Sequence, residues 1–192
     1  MFEGIRKRTA AAASLTRKEI RNGKSLASIF ERSAAALTLM PSVGRGTDST
    51  TVRLTGRTKC EVDEGPWQFS ADAGPEVGGT PNRPDPGSLL RAALGTCFVQ
   101  TAALWAAKRD VSLDRLEVAV ETDHDARGLF GVDDAAPRFT EIRYRITAES
   151  SAPKKELLNV LNAARAHSPV HDSLEHAFRV KQEVRIDRPT SS

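Results

Sequence analysis

Apolar and polar positions alternate in some stretches of the chain and recur at helical spacing in others. From Thr51 the period is two: Thr58, Cys60 and Val62 fall on one face, and Lys59, Glu61 and Asp63 on the other. "DEGP" (63–66) supplies a turn, and Trp67 and Phe69 continue beyond it. This alternation predicts a β-hairpin with one half-buried face. Residues 74–87, "GPEVGGTPNRPDPG", are dense in Gly and Pro and read as irregular. Residues 88–108 follow, where Leu89, Leu90, Leu94, Phe98, Val99, Leu104 and Trp105 leave no wide polar stripe. A helix apolar nearly all round is buried on all sides. In a body of this size a symmetry mate is one way to surround it, so a homodimer is expected.

Period two returns at 113–125 (Leu116, Val118, Val120) and, imperfectly, at 138–150 (Phe139, Ile142, Tyr144, Ile146). Both predict strands. Ser151 and Pro153 stand at helix-start positions, and Leu157, Leu158, Leu161 and Ala164 repeat at helical spacing. Ser168-Pro169 ends that helix, one or two further turns follow, and 178–186 reads as a closing strand. The expected fold is α+β, a mainly antiparallel sheet packed on a long buried helix.

Composition adds an asymmetry. A hydrophobic share of 39% and a charged share of 28% are those of an ordinary soluble protein. The net charge of +3 conceals nine Lys/Arg against three Asp/Glu in residues 1–46, while the rest of the chain is mildly acidic. Residues 1–46 therefore read as a basic arm with short helical stretches (Leu26, Ile29, Phe30, Leu37), and 47–192 as the domain. A basic arm suits nucleic acid or anionic lipid. A solvated or docked helical extension is the plainer expectation, with no nucleic-acid or membrane partner. The arm is Arg-rich and Ala/Ser-rich like a transit peptide but lacks the apolar core of a secretory signal. Arg91 and several hydroxyl and amide groups interrupt 88–107, which makes it a poor membrane span. A cytoplasmic protein is expected.

Two cysteines, Cys60 and Cys97, are too few for a disulfide scaffold. Each is core filler or chemistry. A reactive thiol needs a cation or a helix N-terminus near its sulfur, and Cys97 lies too deep in its helix to use that helix's own dipole. His167, His171 and His176 cluster late in the chain. The spacing of His167, His171 and Asp172 crosses Pro169, so a surface cluster is expected rather than a metal site. No phosphate-binding glycine loop is present, and no metal or cofactor is expected.

The stretch "GG…PDPGSLLRAALGTCF" (78–98) resembles the first signature of the OsmC/Ohr family. "ARAHSPVHDSL" (164–174) resembles its second, and the strands between keep its layout. The resemblance covers about residues 50–187. It implies an intertwined homodimer with the cysteine-bearing helices at its centre. It also implies a thiol peroxidase in which a first cysteine attacks an organic hydroperoxide and a second resolves the sulfenic acid. An Arg activates the thiolate, and in the Ohr branch a Glu after the Asn-Pro step holds that Arg. Here Cys97 matches the peroxidatic cysteine and Ser168 stands in the resolver's place. Gly87 stands where the Glu would be. Arg57 is the candidate activating cation, with Arg83 the alternate. Turnover then needs an external thiol, or Cys60 as a substitute resolver. Three functions remain open: a divergent peroxidase acting through Cys97; an OsmC-fold dimer without turnover that binds an apolar small molecule or senses oxidation; and, least expected, an adaptor that meets nucleic acid or a membrane surface through the basic arm.

Overall fold

The computed structural model describes residues 25–176 and 179–187. Helix α1, Leu26–Leu39, opens with Ser25, whose hydroxyl accepts from the Ser28 N–H, the usual N-cap bond. The rest of the basic arm, before residue 25, lies outside the described residues. After a 3₁₀ turn at Pro41–Gly44 come β1 (Thr51–Leu54), β2 (Cys60–Glu64) and β3 (Trp67–Ala71), an antiparallel sheet in the order β1-β2-β3.

The expected two-stranded hairpin is therefore a three-stranded meander. Gly56 lies in a turn closed by the Thr55 N–H on the Lys59 carbonyl, and the single alternating run is cut there into two strands. The second turn is the expected one, with Gly65 at φ 59°, a conformation glycine adopts without Cβ strain. Pairing aligns Val52, Val62 and Phe69 in one row, and Leu54, Cys60 and Ala71 in the next.

Helix α2 spans Pro86–Lys108. Asp85 caps it by accepting from the Ser88 N–H, and Pro86 fits the first helical position. Among helices of the described residues, α2 alone is long and apolar enough to cross a membrane. Here it packs as a core helix against α1, the strand Arg115–His124 and the helices Lys154–Ala166 and Pro169–Glu175. Strands β4 (Arg115–His124) and β5 (Phe139–Glu149) form a separate antiparallel pair. Their rows Leu116/Ala148, Val118/Ile146 and Val120/Tyr144 face α2. A register shift at Asp123/His124 explains the imperfect alternation in β5, because the bulge moves Phe139 off the parity of Ile142 and Tyr144.

Helix α3 (Lys154–Ala166) and the short α4 (Pro169–Glu175) close the layer. Phe98, Ala102 and Ala164 form one buried cluster, and Ala106, Val111 and Val160 another. Phe30 of α1 meets Trp105 edge-on, with the Lys108 ammonium over both rings. This is how the N-terminal helix is held to α2.

One side of α2 is left open by its own chain, and one expectation about the C-terminal segment is revised. Within one chain α2 is covered on one side: Leu94, Phe98, Thr101, Ala102 and Ala106 are buried, while Ala92, Ala93, Thr96 and Gln100 are exposed. The closing strand expected at 178–186 is not formed over its described residues. Residues 179–187 carry no ladder, and Val180, Val184 and Ile186 are 82%, 68% and 84% exposed. A strand needs an edge to pair with, and this segment finds none among the described residues of its own chain.

Candidate functional site

Cys97 lies at the middle of α2, half-buried, one residue before the core ring of Phe98. Thr101, one turn on, gives its hydroxyl proton to the Cys97 carbonyl at 2.7 Å. Phe98 packs against Tyr144 at 5.5 Å between ring centroids, which fixes the rotation of α2 on β5. That rotation turns the Cys97 sulfur toward the joint between α3 and α4. Ser168 occupies the joint, fully buried, and its hydroxyl donates to Cys97 Sγ at 3.2 Å. Two residues 71 positions apart in sequence are thus brought into direct contact.

The remaining candidates sit elsewhere. Arg57 is exposed in the turn between β1 and β2, with no ion pair or hydrogen bond among the described residues. Thr58 beside it donates to Asp72 at 2.7 Å. Arg83, in the loop before α2, is half-buried and close enough to Glu61 for its charge to help hold that carboxyl low, behind the larger effects of Lys59 and Ser70. Cys60 begins β2 and its thiol contacts the Thr58 carbonyl at 3.7 Å. Both cysteines are free, and their sulfurs meet different partners, the Thr58 carbonyl and the Ser168 hydroxyl.

The histidines are engaged separately. His167 stacks on Trp105 at 4.6 Å. His171 faces the Tyr144 hydroxyl through Nδ1, and at Nε2 it meets Arg165 and Glu175. His176 caps back onto Asp172.

Two residues that sequence reasoning passed over organise the surroundings. Asp72 is buried and accepts from Thr58, the Ala73 N–H, and both the N–H and hydroxyl of Thr80. These bonds, the Thr58 hydroxyl foremost, hold its carboxyl below the usual range despite burial. Asp72 so ties the Arg57 turn to the Gly/Pro loop. Arg91 donates to Ser88 and Thr122, both at 3.0 Å. A Cβ on Gly87 would stand 3.2 Å from its guanidinium, so the glycine leaves room for Arg91. The signal for Arg91 was its position three residues after Ser88, one turn into a capped helix. For Asp72 no local signal existed, since its partners come from 58, 73 and 80.

An open groove of about 470 Å³ runs between α2 and β4, lined by Arg91, Gly95, Thr96, Val99, Val118 and Val120 among others. Cys97 does not line it.

A family model described as OsmC-like protein matches residues 79–183, from the Gly-Gly step before α2 to beyond α4. The chain belongs to the OsmC-like family. Its fold is similar to an OsmC-like protein from Mycoplasma pneumoniae at 19% identity and TM-score 0.59, covering 68% of this chain and 88% of that one. It is similar too to an organic hydroperoxide resistance protein OsmC from Legionella pneumophila, at 16% identity and TM-score 0.51, covering 67% and 89%. A hydroperoxide resistance protein from Elizabethkingia anophelis matches at 16% and 0.51, covering 67% and 88%. No curated protein matches the sequence significantly.

Proposed function

We propose that the protein is a thiol-dependent peroxidase that reduces organic hydroperoxides through Cys97 and uses an external thiol as reductant. One observation supports the reading: the two signature segments meet in space, with Ser168 Oγ 3.2 Å from Cys97 Sγ. In the reaction the Cys97 thiolate attacks the outer peroxide oxygen. The O–O bond breaks, the leaving alkoxide takes a proton from solvent to become the alcohol, and Cys97 becomes a sulfenic acid. A serine hydroxyl cannot condense with it to a disulfide. An external thiol then displaces water, and a second thiol restores Cys97 with formation of an external disulfide. Arg57 is the cation for the thiolate, with Arg83 the alternate.

We read the working form as a homodimer. The β1–β3 sheet leaves Val52, Leu54, Trp67 and Phe69 on one apolar face, 58%, 69%, 72% and 41% exposed. The bare side of α2 and the unpaired residues 179–187 add to it. Uncovered apolar area of this kind supports association with a second copy. The second reading, an OsmC-fold dimer that binds an apolar molecule without turnover, is favoured by the groove lined with Val99, Val118 and Val120.

The test is intact mass of reduced protein after brief exposure to a limiting alkyl hydroperoxide, with dimedone present to trap sulfenic acid. Rapid labelling at Cys97 is expected. An unreactive Cys97 sinks the peroxidase reading and leaves the binding one.

A further inference from the structure

We propose that Ser168 is a catalytic hydrogen-bond donor to Cys97, so that the residue in the resolver's place stabilises the thiolate instead of resolving it. Its role in turnover rests on the reading of Cys97 as the nucleophile, but the donor bond itself is tested without any peroxide. Ser168 stands at the N-cap of α4, where a serine ordinarily accepts from an N–H inside the helix. This one makes no such bond. Its main chain is engaged locally: the N–H reaches the Arg165 carbonyl, and its own carbonyl accepts from the Asp172 N–H. The hydroxyl, fully buried, is left for the sulfur at 3.2 Å.

A hydroxyl bonded to a neutral thiol gains little, because thiol sulfur is a weak acceptor. Bonded to a thiolate it becomes charge-assisted and shorter. The difference favours the thiolate form. A tenfold gain in thiolate population is the scale the experiment tests, equivalent to about 1.4 kcal/mol. The same bond lowers the intrinsic nucleophilicity of each thiolate by about threefold, for a Brønsted slope of roughly 0.4–0.5. These two effects act in different pH ranges, and that separation identifies a donor.

The experiment measures exchange of Cys97 with hydroxyethyl disulfide across pH, in full-length protein carrying Cys60→Ser. At low pH, where thiolate is scarce, Ser168→Ala is expected to react about threefold more slowly. At high pH, where the thiol is fully ionised, it is expected to react about threefold faster. The two profiles therefore cross. A change of equal factor at every pH would mean that Ser168 only shapes the joint, and would overturn the proposal. Ser168→Cys gives a second measurement. Treated with diamide, whose N=N bond takes up the two thiol hydrogens, this variant is expected to form a disulfide between Cys97 and the introduced thiol, with loss of two hydrogens in intact mass. Two thiols that stay reduced would show that residue 168 does not meet the sulfur, and would overturn the proposal as well.

Discussion

The two β-sheets of the molecule differ in what they have to pack against. The β4–β5 pair lies on α2 and shares with α3 the cluster around Phe98. The β1–β3 sheet buries Val62 and Ala71 but leaves the rest of its apolar face open. Cys97 and Ser168 belong to the first region, and Arg57 and Cys60 to the second. The Cys97–Ser168 contact is thus built entirely by packing within one chain, whereas Arg57 rides on a sheet that lacks a cover. Apolar area left in water is a loss of roughly 25 cal/mol per Å² of potential stabilisation, so the second region has the stronger drive to associate. The Cys97–Ser168 contact therefore needs nothing beyond the single chain.

The largest expected effect breaks the chemistry itself. Cys97→Ser removes sulfenic-acid labelling completely, while Cys60→Ser leaves the yield unchanged; a yield that rises in Cys60→Ser would make Cys60 a resolver. Phe98→Ala then separates the two regions by stability. Removing this buried ring costs about 3–5 kcal/mol, read from the urea midpoint, whereas Trp67→Ala changes the dilute chain by about 0.5 kcal/mol or less. Trp67→Ala is expected instead to weaken self-association in sedimentation velocity. Equal unfolding losses for the two variants would show that the sheets are not unequal. Arg57→Gln comes next, with about a tenfold slower reaction of Cys97 with hydroperoxide, equivalent to roughly 1.4 kcal/mol, and little change in folding. A loss confined to Arg83→Gln would move the role to the alternate.

Much of this was legible from residue order. The period-two runs, the capped start of α2 at Asp85 and Pro86, and both signatures sit where the sequence places them. What escaped was non-local. Gly56 breaks β1 from β2, but the parity of Val52, Leu54, Cys60 and Val62 runs through the break unchanged, so the pattern conceals the turn. The segment 179–187 has strand periodicity, yet a strand also needs a partner edge, which is a property of the assembly. Ser168 was visible as a missing thiol. That its hydroxyl reaches Cys97 depends on the packing of α4 against α2, which no periodicity encodes.

The smallest expected effect concerns the cap that begins the cysteine-bearing helix. The Asp85 carboxyl is held below its ordinary value, first by the Ser88 N–H and then by the Ser88 hydroxyl and the Arg91 charge, against the opposing effect of burial. A carboxyl whose folded pKa is depressed binds protons more weakly when folded. Its stabilisation is fully present above the unfolded value of about 3.9 and is lost as pH falls through the lower folded value. Asp85→Asn keeps a good capping side chain and removes only the charge at the helix N-terminus, worth about 0.3–1 kcal/mol. At pH 7 the variant is expected to be less stable by that amount in urea titration. Below about pH 4 the two curves converge, because the wild-type carboxyl is being neutralised as well. A gap that persists unchanged into acid would assign the loss to capping geometry, and the helix bearing Cys97 would then owe nothing to this charge.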